Sequence, residues 1–257
     1  ADSGLQILAL ERGEMQDTST TANYPNIIDE LAYSTRGKLL QDLSKETVTI
    51  RHSSKDVAVP YRQHGAFLLG NGMGGAGFHW NGMSWRAFAS DLRLKSHYQE
   101  RYGAGFLSKE MTIQDYPLTY EELEPYFAQW EDVAAVSGKA GNLRNQIVPG
   151  GNRWEAPRSS DSPLPALKSG YGAQVFGSAA NQLGYASFPV PAANASAPYT
   201  NQYGVRLGPC NFCGFCEGYG CYMYSKASPQ TSILPALKSK ENFTLKPRSH
   251  VLRIETD

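Results

Sequence analysis

Every cysteine of this chain, four in all, lies in the single run CNFCGFCEGYGC, at Cys210, Cys213, Cys216 and Cys221. The spacing CxxCxxCxxxxC admits three chemistries. Disulfides suit it poorly, because cysteines three residues apart bridge only in special turns and the four thiols would compete with one another. Structural zinc prefers two CxxC knuckles well separated in sequence, so that two loops approach the ion from opposite sides. An iron–sulfur cluster fits best: successive CxxC steps curl a loop around a cuboidal core and aim thiolates at different irons. Gly214, Gly218 and Gly220 allow that curl. The run departs from the bacterial ferredoxin pattern in its longer last gap and in lacking a proline after Cys221.

A second chemistry-bearing stretch is FLLGNGMGGAGFHWNG, residues 67 to 82. Its glycines Gly70, Gly72, Gly74, Gly75 and Gly77 let the backbone approach a ligand closely, and exposed amides in such a loop can cradle a diphosphate or the edge of an aromatic ring system. A plain tight loop is the competing reading. His79 follows directly, between Phe78 and Trp80, so an imidazole is expected beside aromatic surface. Glu11 is a third candidate. An acidic residue closing the second strand of a dinucleotide-binding unit accepts hydrogen bonds from an adenosine ribose, although a solvated strand-end carboxylate looks the same.

The elements that must position these residues follow from periodicity. LQILALERG (5 to 13) predicts a buried parallel strand, and NIIDELAYSTRGKLLQDL (26 to 43) a helix capped by Asn26. ETVTIRH and VAVPYRQ are strand-like. The glycine-rich loop is expected to lead into a helix. PLTYEELEPYFAQWEDVAAVSG (117 to 138) gives the clearest helix, with a Thr119/Glu122 capping box, an apolar face of Leu123, Phe127, Trp130 and Val133, and Gly138 as its stop. Residues 139 to 209 are rich in Pro, Gly, Ser and Asn, with one helix over 170 to 183; aromatic residues spread through them favour ordered loops over disorder. A further strand is expected in HVLRIETD. Both ends of the sequence look cut, so a piece of a larger protein is expected.

Composition excludes other classes. Lys and Arg total 24 against 24 Asp and Glu, so the chain lacks the basic footprint of nucleic-acid binding. It has no apolar run of membrane-spanning length.

Together these residues resemble the glucose–methanol–choline (GMC) oxidoreductases, and among them the flavoprotein large subunits of bacterial membrane-bound sugar and sugar-acid dehydrogenases. LALERG resembles the family's second strand, GNGMGGAGFHWNGMSWR its flavin loop, DYPLTYEELEPYF a family helix, and CNFCGFCEGYGCYMYSKAS the cluster insert, which together with NFTLKPRSHVLRI narrows the resemblance to that subgroup. The resemblance implies an α/β, FAD-binding Rossmann-like fold, incomplete here, with a loop-rich substrate side and an iron–sulfur insert. Residues 1–138 would form part of the FAD domain, 139–209 the substrate side, and 210–257 the insert and a return strand. Glu11 would bind the adenosine ribose, and Gly72, Met73, Gly74, Gly75 and Gly77 with Asn81 and Gly82 would lie along the diphosphate and isoalloxazine; Arg12, Gly70, Asn71 and Trp80 would also belong to the cofactor site. The backbone at Val251 would meet the adenine, and His79 resembles a histidine joined covalently to flavin in some relatives.

The same resemblance implies hydride transfer from a hydroxyl of a sugar or sugar acid to FAD, with electrons leaving through a [3Fe-4S] cluster to a multihaem cytochrome c subunit. Three cysteines suffice for such a cluster, and Cys210 is the candidate spare. It also implies a small export subunit, attachment to the membrane through a partner, and the periplasmic face of the bacterial inner membrane. The catalytic acid/base pair is expected C-terminal to this chain, so His52, His64, His97 and His250 are given no such role. Two other readings stay open: a flavin oxidoreductase of the same fold whose cysteines bind zinc or are structural, passing electrons to quinone or oxygen, and a non-enzymatic zinc-binding module.

Overall fold

The computed structural model describes residues 2–16, 40–42, 44–48, 55–60 and 69–256. Nearly all of the helix expected over 26 to 43 lies outside these residues, as do His52 and His64. The chain divides into two compact units, Ala1–Gly82 with Tyr203–Asp257, and Met83–Gln202.

In the first unit the expected strand forms as Ile7–Leu10. It pairs in parallel with Phe243–Lys246, Ile7 opposite Phe243 and Leu10 opposite Lys246. Its burial differs from the expectation. The described sheet has only these two strands, and alternate side chains turn outward as the pleat requires, leaving Leu8 and Leu10 54% and 48% exposed. Thr47–Val48 and Val59–Pro60 make a short antiparallel pair within the two strand-like segments. The strand expected at HVLRIETD does not form. Arg248 turns the chain with a φ of 56°, the Arg248 and Ser249 amides bond back to Gly13 O and Glu11 O, and residues 250–256 pair with no strand among the described residues.

In the second unit the clearest predicted helix spans Tyr120–Val133, and its capping box forms as expected: Thr119 Oγ1 accepts from the Glu122 amide and the Glu122 carboxylate accepts from the Thr119 amide. Its stop differs. Ala135, at a φ of 51°, takes the left-handed position that follows a helix end, and Gly138 lies instead in the Ser137–Gly138 strand. That strand pairs in parallel with Leu164–Pro165. The second predicted helix forms over Tyr171–Gln182.

The buried carboxylate of Glu131 holds this unit together. Arg86 grips it in a fork, with Nε and Nη2 each at 2.8 Å, and Arg158 Nη2 donates to it at 2.5 Å. Arg86 Nη1 also reaches Glu124 at 2.9 Å and the Tyr120 hydroxyl at 3.2 Å. Burial opposes charge on Arg86, but the bonds and charge of Glu131 outweigh it and raise its pKa. Among the described residues no helix is long and apolar enough to cross a membrane.

Candidate functional site

The strand Ile7–Leu10 delivers Glu11 to a turn lying directly against the glycine-rich loop. The Glu11 carboxylate accepts the Gly13 amide at 2.6 Å. Only glycine fits at position 13, since a Cβ there would stand 2.3 Å from the Gly72 nitrogen. The Met73 amide donates to Glu14 O at 3.0 Å, and Gln16 Nε2 to Asn71 O at 3.2 Å. Arg12 is paired with Glu46 at 3.0 Å, so its charge is compensated within the protein. The loop itself contains a single 3₁₀ turn, Gly75–Phe78, entered through Gly74 at a φ of 91°, and the helices that follow it in the chain are Ala89–Leu92 and Leu94–Tyr102.

His79 closes that turn and is buried, 6% exposed. Burial, with the charge of Lys226 added, lowers its pKa and favours the neutral imidazole, although a backbone hydrogen bond opposes the shift. His79 Nε2 has no hydrogen-bond partner. The same is true of Gln16 Oε1 and Gln230 Oε1. Gln16 packs on Gly72, while Gln230 packs on Gly74 and donates through Nε2 to Met73 O. Buried polar atoms without partners are rare and call for an explanation. Three of the five found among the described residues border this one loop, and a cofactor with polar edges would satisfy them.

The cysteine loop is fastened beside it. The Gly218 amide donates to His79 O at 2.7 Å, and Trp80 Nε1 to Ala227 O at 2.7 Å. Lys226 Nζ donates to Trp80 O, to Cys216 O at 2.5 Å and to Tyr219 O at 2.7 Å. Burial lowers the Lys226 pKa to about 8, while the charges of Cys216, Cys221 and Cys213 act in the opposite sense. Left-handed turns at Phe212, Gly214 and Gly218 curl the run.

None of the four cysteines is in a disulfide, and each is half-buried. Four thiols on a curled loop are the donor chemistry of an iron–sulfur site. As positioned, however, no group of three or more His, Cys, Asp or Glu among the described residues surrounds a single metal-ion position.

The structure therefore brings Glu11, Arg12, the 70–82 loop and the cysteine run into one unit. Val251 is 53% exposed and lines, with Leu10 and His250, an open cleft of about 580 Å³ next to Glu11 in the chain. His97 lies in the other unit, on the helix Leu94–Tyr102. Sequence reasoning missed Gln16, Lys226 and Gln230. Lone glutamines and a lone lysine read as surface residues, and only their burial sets these three apart.

No family model matches the chain. It is 52% identical, over 256 residues and 98% of its own length, to the gluconate 2-dehydrogenase flavoprotein of Pantoea cypripedii, of which it spans 42%. It is 35% identical over 128 residues to the fructose dehydrogenase large subunit of Gluconobacter japonicus, covering 50% of this chain and 20% of that protein. The chain is thus related along nearly its whole length to a gluconate 2-dehydrogenase flavoprotein.

Proposed function

We propose that the protein is an FAD-dependent dehydrogenase that oxidises a hydroxyl group of a sugar or sugar acid and passes the electrons through an iron–sulfur cluster to a cytochrome c subunit. The observation that carries this reading is the glycine-rich loop itself, with its unpartnered polar atoms on His79, Gln16 and Gln230 and the cysteine run bonded along its edge. The names of the two relatives support the substrate class. Bound FAD would supply the hydride acceptor, and a cluster the one-electron exit that a cytochrome needs.

The chain's own residues bind and orient. Glu11, already engaged by the Gly13 amide, keeps a carboxylate oxygen for a ribose hydroxyl. The backbone from Gly70 to Gly82 follows the diphosphate and ring system, and Val251 lines the adenine end. His79, neutral and with Nε2 unpartnered, is the candidate attachment atom for the flavin. Cys213, Cys216 and Cys221 would hold a [3Fe-4S] cluster, with Cys210 as the spare. In this reading residues 1–138 belong to the FAD domain, 139–209 face the substrate, and a small export subunit and a haem partner keep the protein at the periplasmic face of the inner membrane.

The test is anaerobic mixing of the full-length protein with gluconate, fructose or glucose. Loss of the oxidised-flavin absorption with at least one of them is expected, and purified protein without flavin would contradict the reading. One alternative keeps the same flavin site, with cysteines that are structural or bind zinc and with quinone or oxygen taking the electrons. Zinc in place of iron in the purified protein would identify that case.

A further inference from the structure

We infer that Lys226 is a positioning residue that fastens the cysteine loop to the glycine-rich loop and so fixes the separation between the groups those loops hold. This rests on the reading above, in which electrons pass from one loop's cofactor to the other's. Lys226 is 1% exposed and heads the largest fully buried side chains. Its ammonium donates to three backbone carbonyls, one in the glycine-rich loop (Trp80) and two in the cysteine run (Cys216 and Tyr219). An ammonium has three donors and no acceptor, so its capacity is fully used.

Three carbonyl oxygens aimed at one point repel each other unless a cation stands between them. A neutral side chain cannot supply three donors there. Gly218 to His79 O and Trp80 Nε1 to Ala227 O, both at 2.7 Å, run alongside the ammonium, so both edges of the contact are tied. The anchored carbonyls of Cys216 and Tyr219 lie between Cys213 and Cys221, in the middle of the run that would carry the metal. With every N–H committed, Lys226 offers no lone pair to a substrate, so it acts through the two loops it joins.

The test uses the complete enzyme. In Lys226→Gln, amide exchange across residues 76–82 and 214–222 is expected to rise about tenfold or more, because the bonds that close this contact are lost. Electron delivery to a one-electron acceptor, normalised to bound flavin, should fall along with it. Lys226→Arg, which keeps the charge on a planar head, should restore part of both. Should Lys226→Gln fail to fold, the wild-type enzyme still decides: Lys226 should resist acylation by an N-hydroxysuccinimide ester that labels Lys45, whose side chain is 80% exposed.

Labelling of Lys226 as fast as Lys45, or wild-type exchange in Lys226→Gln, overturns the inference. Faster exchange with unchanged transfer per flavin also overturns it, since Lys226 would then be a structural cross-link only. Wild-type enzyme without iron contradicts the electron-exit reading instead, and leaves the exchange and labelling results to decide the fastening.

Discussion

His79 concentrates the residue-scale chemistry, because burial keeps its imidazole neutral and leaves Nε2 without a partner. The folded-state pKa lies below the unfolded value, so the stability tied to the neutral form is complete above about pH 6.5 and is lost as pH falls below it. In flavin-free full-length protein, where the imidazole is unmodified, the thermal midpoint should therefore drop between pH 6.5 and 5 more steeply than that of His79→Phe; parallel profiles would mean that burial does not hold the His79 imidazole neutral. If Nε2 is the attachment atom, acid precipitation leaves flavin on the wild-type chain and releases it from His79→Phe, whereas release from both means the flavin is held without a bond. The glycines and His79 were legible because their residue types carry the chemistry openly. Lys226, Gln16 and Gln230 were not, since their roles depend on burial against loops distant in sequence.

Among the elements, the Tyr120–Val133 helix was legible because its signals are local: the Thr119/Glu122 box and an apolar stripe. Its end was not, since Ala135 in a left-handed turn replaced the expected glycine stop. The strand Ile7–Leu10 was legible as a strand, while its exposure depended on how many strands flank it. What anchors the helix is Glu131, buried between the Arg86 fork and Arg158, with all three side chains 4% exposed or less. Removing one member of a buried ion cluster strands the others without water or counter-charge. Glu131→Ala is therefore expected to cost about 3–5 kcal/mol, against about 1 kcal/mol for Thr119→Ala at the exposed cap. Urea denaturation of the full-length variants checks this; equal losses would mean that the Arg86–Glu131–Arg158 cluster is not what holds the helix.

On the scale of the whole molecule, the chain spans 42% of its gluconate 2-dehydrogenase relative, and much apolar surface stands open. Phe176, Leu183 and Tyr185 are each at least 70% exposed along a groove of about 1110 Å³ in the Met83–Gln202 unit. Balanced charge argues against nucleic acid as a partner class on physical grounds, but a division into units that joins residues 1–82 to 203–257 has no local signal in the sequence. In the proposed function the cysteine loop beside the glycine-rich loop is an electron exit, and EPR of the oxidised full-length protein, with iron measured against flavin, checks it. A paramagnetic cluster signal and iron in proportion to flavin are expected, both kept in Cys210→Ser and lost in Cys213→Ser, Cys216→Ser and Cys221→Ser. A silent spectrum with zinc bound, or a cluster signal that survives loss of any of those three cysteines, would contradict it.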